Sequence, residues 1–75
     1  NFEPLKKINR LRDVETWQDL FHYLSDLSTT SHNYTLIAGA ARQIRDGYKN
    51  VDDPIFDDVF AINPDIREKI RTLKK

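Results

Sequence analysis

The sequence predicts an all-α fold: a compact domain of four or five short helices packed in an orthogonal or bundle-like way. Three observations carry that expectation. Apolar residues recur every three or four positions along most of the chain. Two steps, Asp53-Pro54 and Asn63-Pro64, have the form of helix starts. No segment alternates apolar and polar residues over a strand length, and no two-residue hairpin signal is present.

The first helix is short, with Leu5, Ile8 and Leu11 as its stripe, Phe2 ahead of them and Pro4 at a suitable first helical position. The second is the most regular. Its residues Val14, Trp17, Leu20, Phe21, Leu24 and Leu27 fall within an arc of about 140° when each residue advances by about 100°. Asp13 or Thr16 can cap it, and Trp17 falls among its core positions. The polar run Ser28-Thr29-Thr30-Ser31-His32-Asn33 then breaks the pattern, and its hydroxyls are placed to cap the third helix. On that helix, expected over 34–46, Tyr34, Ile37, Ala41, Ile44 and Tyr48 share one side while Leu36 and Ala40 project elsewhere. The small residues Ala38, Gly39, Ala40 and Ala41 would admit a close neighbour, which makes this the expected central helix, with Gly47 as its stop.

The stretch DDPIFDDVF, 52–60, poses a choice between a cation site and a helix start. Asp53 suits an N-cap and Pro54 a first helical residue, because the N–H that proline lacks is one a helix start cannot pair. On a wheel from Ile55, the side chains of Phe56, Val59, Phe60 and Ile62 span about 160°, and Asp57 and Asp58 fall outside that arc. A calcium loop needs alternating oxygen ligands and a sharp glycine turn, which this stretch does not have. Cap and wet face are therefore the expectation. The same grammar recurs at Asn63 and Pro64, opening a fifth helix with a narrow stripe of Ile66, Ile70 and Leu73 and an opposite face of Arg67, Arg71, Lys74 and Lys75.

Composition narrows the possible functions. Seventy-five residues suit a single domain near the size at which folded chains become marginally stable. A beginning at Asn1 suits a piece cut from a longer protein. With no Cys there is neither a disulfide framework nor a thiolate metal site, so apolar packing must hold the fold. That composition fits an intracellular, soluble protein. No apolar run approaches the roughly 20 residues that span a bilayer. Twelve basic and twelve acidic residues cancel to a net charge of zero, but they come in blocks of alternating sign.

Chemistry-bearing patterns are weak. Asp19, His22 and Asp26 share one side of the second helix, yet no fourth ligand is suggested and the zinc-helix motif H-E-x-x-H is absent. Ser28, Ser31 and His32 are neighbours in a capping loop rather than a nucleophile and its base. Asn33-Tyr34-Thr35 matches a glycosylation sequon without any secretory signal beside it. Only Gly39 and Gly47 are available, so no phosphate-cradling loop can form. No metal or cofactor is called for, and no catalytic constellation is present.

The expected function is therefore non-catalytic: a protein–protein interaction (adaptor) domain that binds a partner helix or linear motif through a groove or charged face. Candidate contact residues are Lys6, Lys7 and Arg10 on the first helix and Arg67, Arg71 and Lys74 on the fifth, which would suit an acidic partner segment. The competing fate for these charges is pairing within the fold, against the block Asp52, Asp53, Asp57, Asp58 and Asp65. The second functional expectation is nucleic-acid binding, through a helix-turn-helix-like pair or the basic terminal helices. Against it, the polar connector looks longer than a tight turn, and only Arg42, Arg45 and Lys49 are basic on the would-be recognition helix.

Overall fold

The computed structural model describes residues 8–74. Those residues are all-α, as expected. A 3-10 turn, Leu11–Asp13, leads into α1 (Trp17–Ser28) and α2 (Asn33–Arg45); a second 3-10 turn, Pro54–Phe56, runs into the short α3 (Asp57–Phe60), and α4 (Pro64–Leu73) closes the chain. The first expected helix lies largely outside the described residues. Within them Ile8, Asn9 and Arg10 are not helical. Leu11, the last residue of that helix's expected stripe, opens the 3-10 turn, and Lys69 Nζ donates to the Val14 carbonyl just past that turn at 3.0 Å.

Local chemistry explains several of the remaining boundaries. Thr16 Oγ1 accepts from the Asp19 amide at 3.1 Å, and the Asp19 carboxylate accepts from the Glu15 amide at 3.2 Å, a reciprocal cap at the start of α1. At the other end the expectation is overturned. Ser28, Thr29 and Thr30 do not cap α2; their hydroxyls donate to the carbonyls of Ser25, Asp26 and Leu27 at 2.7, 2.7 and 3.0 Å and close α1. A helix end leaves carbonyls unpaired, and hydroxyls three residues ahead are within reach of them. His32 at the α2 start supplies no side-chain cap.

α2 ends where expected. Gly47 has φ +87, Tyr48 N–H donates to Gln43 O at 2.9 Å and Gly47 N–H to Ile44 O at 3.2 Å, the two bonds of a Schellman motif. That left-handed turn carries Tyr48 off the α2 stripe, so it is 78% exposed rather than packed beside Ile44. Asp53 caps the next segment, accepting from the Ile55 amide at 2.9 Å. Asn63 makes no such side-chain bond although Pro64 opens α4 as expected.

One core cluster joins these elements. Leu20 and Leu24 of α1, Ile37, Ala40, Ala41 and Ile44 of α2, Phe56 and Phe60, and Ile66 and Ile70 of α4 are buried together with Ile8 and Val14. Ala40 is thus a core residue, since α2 is covered over a wider arc than one stripe requires. Trp17 and Phe21 are only half-buried and stack at the edge of the core, ring centres 6.2 Å apart. Ile55 and Ile62 stay outside, 62% and 38% exposed, because the 3-10 turn before α3 shifts the projected arc.

Candidate interaction surface

Arg67, expected on a solvent face, is instead drawn inward. Its Nε donates to Val51 O at 2.9 Å, Nη2 to Asp53 O at 3.1 Å and Nη1 to Asp57 Oδ1 at 3.0 Å, and its side chain is 18% exposed. The guanidinium also sits 5.2 Å from the centre of the Phe60 ring. Five donors in a rigid fork let one arginine tie the segment between α2 and α3 to α4. Arg71, one turn later, donates through Nε to Asp52 Oδ1 at 3.0 Å and pairs with Asp52 and Glu68 through its terminal nitrogens. The Arg71 hydrogen bond holds the Asp52 carboxyl below its usual range, outweighing desolvation, which pushes it up, with the charges of Arg71 and Arg67 helping to lower it.

Of the six expected contact residues, Arg67 and Arg71 are therefore engaged within the fold, while Arg10 and Lys74 are exposed. Lys6 and Lys7 lie outside the described residues. The fifth-helix face is a set of internal clasps more than a free basic surface.

A different surface combines positive charge with aromatic area. Arg45 and Arg42, one turn apart on the outer side of α2, place their guanidinium carbons 5.0 and 5.9 Å from the centre of the Phe21 ring on α1. Contact between the end of α2 and the second turn of α1 also shows that the two helices run antiparallel. Beside Phe21 opens a groove of about 430 Å³, lined by Gln18, Phe21, His22, Ser25 and Arg45. Lys49 and Tyr48 lie exposed just past the end of α2. Arg45 Nε donates to Asp46 at 3.0 Å, a pair with both side chains more than two-fifths exposed. Two guanidiniums over one ring remain positive at contact range while the ring shields their apolar side from water.

Sequence periodicity placed Phe21 on the core-facing stripe, where it does pack, but did not single out the surface its ring forms with the two arginines. A signal was available: Phe21 lies toward one margin of the α1 stripe, and Arg42 and Arg45 flank the Ile37, Ala41, Ile44 stripe of α2 at the matching edge.

The other candidate centres resolve into structural roles. Asp19 serves the α1 cap, and Asp26 offers its backbone carbonyl to Thr29. Among the described residues no group of three or more His, Cys, Asp or Glu side chains is placed to hold a metal ion. Ser28 is spent on closing α1. Burial, with Tyr34 beside it, pushes the Tyr23 hydroxyl above its ordinary range. The connector between α1 and α2, residues 29–32, is shorter than the polar run implied, and α2 buries Ile37, Ala40, Ala41 and Ile44 while Arg42 and Gln43 face solvent. No described helix is long and apolar enough to cross a membrane. No family model, curated protein or solved structure matches the chain.

Proposed function

We propose that the chain is a non-catalytic protein–protein interaction domain of the adaptor kind, acting in an intracellular setting, and that its contact face is the α1–α2 surface around Phe21. One observation carries this: two arginines gathered over a half-buried aromatic ring at the rim of an open groove. Interface anchors are enriched in aromatic residues and arginine, and a groove between antiparallel helices accommodates a helix or extended segment. The fifth-helix arginines contribute to stability in this scheme, with Lys74 and Arg10 left as peripheral charges. The direct test is selection of random 12-residue peptides displayed on phage against the folded domain. Enrichment of a convergent sequence family that no longer binds a Phe21→Leu variant still folded at the assay temperature supports the proposal. Failure to converge, or equal binding to that variant, contradicts it.

A further inference from the structure

The charges on this face specify the chemistry of its occupant. Among the described residues Arg42 meets the Phe21 ring and no carboxylate, and Arg45 commits only Nε, to Asp46. The terminal N–H groups of both therefore make no hydrogen bond among the described residues, and Lys49 lies exposed past the end of α2. A guanidinium edge matches a planar carboxylate with two parallel hydrogen bonds. Resting on that assignment of the contact face, we infer that the α1–α2 groove receives a short acidic segment of a protein partner, its carboxylates on Arg42 and Arg45 and an apolar side chain against Trp17 and Phe21.

The surroundings favour a short acidic peptide over a nucleic-acid strand. Asp46, paired with Arg45, sets a carboxylate within the cationic area. A phosphate backbone tracking the face would run past that carboxylate, whereas one or two side-chain carboxylates can stop short of it. Arg42, Arg45 and Lys49 are also few compared with the phosphate contacts a strand-tracking surface makes, and the chain as a whole is neutral.

The test uses the intact chain, the peptides enriched from the random 12-residue library and a single-stranded oligouridylate of similar length. Enriched peptides should be rich in Asp and Glu around one apolar residue. Arg42→Glu with Arg45→Glu should weaken their binding by about a hundredfold, and Arg42→Lys with Arg45→Lys by about tenfold, because the charge survives but the bidentate fork does not. Both variants should remain folded at the assay temperature, the Lys variant melting nearer the parent, which separates lost binding from lost folding. Convergent peptides without acidic bias that still require Phe21 would overturn the acidic-segment inference and leave the interaction face standing. Absence of any Phe21-dependent peptide would remove the face itself. Oligouridylate binding tighter than any peptide, with steep weakening by salt, would overturn the inference in favour of nucleic acid.

Discussion

Arg67 of α4 lies over Phe60 of α3, guanidinium carbon to ring centre 5.2 Å, while its N–H groups reach back to the carbonyls of Val51 and Asp53. This one side chain joins a fully packed aromatic, the segment after α2 and the last helix. It accounts for how a chain without disulfides fixes a stretch, residues 46–53, that has few apolar residues of its own.

Arg67→Ala should therefore destabilise the domain more than an ordinary surface charge deletion. Loss of charged hydrogen bonds to two backbone carbonyls that are partly shielded from water should cost about 2 to 3 kcal/mol, lowering the melting temperature by on the order of 10 °C in a chain of this size. Arg67→Lys should recover less than half of that, since one ammonium cannot span three acceptors. Thermal unfolding followed by circular dichroism measures both, and a parent-like Arg67→Ala melt would show that the clasp is dispensable.

Helix caps should separate by the bonds actually made. Thr16→Ala and Asp53→Ala should each cost about 1 kcal/mol, because each side chain accepts an otherwise unpaired amide. Asn63→Ala should cost clearly less, its side chain making no capping bond. Urea denaturation ranks the three; Asn63→Ala as the most damaging would reverse the assignment.

The two glycines should respond oppositely to alanine. Gly47 holds φ +87, so Gly47→Ala forces a strained backbone and should destabilise by about 1 kcal/mol. Gly39 sits inside α2, and a Cβ added there meets nothing within 4 Å. Gly39→Ala should stabilise by about 0.5 to 1 kcal/mol through helix propensity. The small-residue run was expected to admit a close neighbour; Ala38, Ala40 and Ala41 pack on the core, but Gly39 does not meet one. Loss of stability in Gly39→Ala would show a hidden contact.

Acid should weaken the Asp52–Arg71 clasp. The folded carboxyl titrates below its ordinary value of 3.8, so the unfolded chain takes up that proton at the higher pH. The contribution is complete above the unfolded value, at about pH 5. It is lost as pH falls through 3.8 toward the lowered folded value. The melting temperature should fall over that acid range, and Asp52→Asn should reduce the slope of the fall. An identical acid profile in Asp52→Asn would remove the pair from the account.

The fold was legible from periodicity because Leu20, Leu24, Ile37, Ala41, Ile44, Ile66 and Ile70 fall on single helical faces, and burial follows such faces. The α2 stop was legible for a different reason: Gly47 has the residue chemistry that a Schellman turn requires. Features set by partners distant in sequence escaped. Whether Arg67 faces water depends on carbonyls 14 and 16 residues earlier, and a helical wheel contains no such information. The role of Ser28, Thr29 and Thr30 was ambiguous because hydroxyls between two helices can serve either end. The cationic aromatic face was half visible, with its arginines noted along α2 and its ring assigned to the core.

The central claim, that the α1–α2 face is where a partner binds, is tested most directly through Trp17, the chain's only tryptophan, which stacks on Phe21. Its emission should be recorded during titration with the most enriched displayed peptide, while anisotropy of a labelled copy of that peptide reports binding. The account predicts a blue shift that saturates together with the anisotropy, as the half-buried indole loses its remaining water. Saturating anisotropy with an unchanged Trp17 spectrum would place the contact elsewhere and contradict the claim.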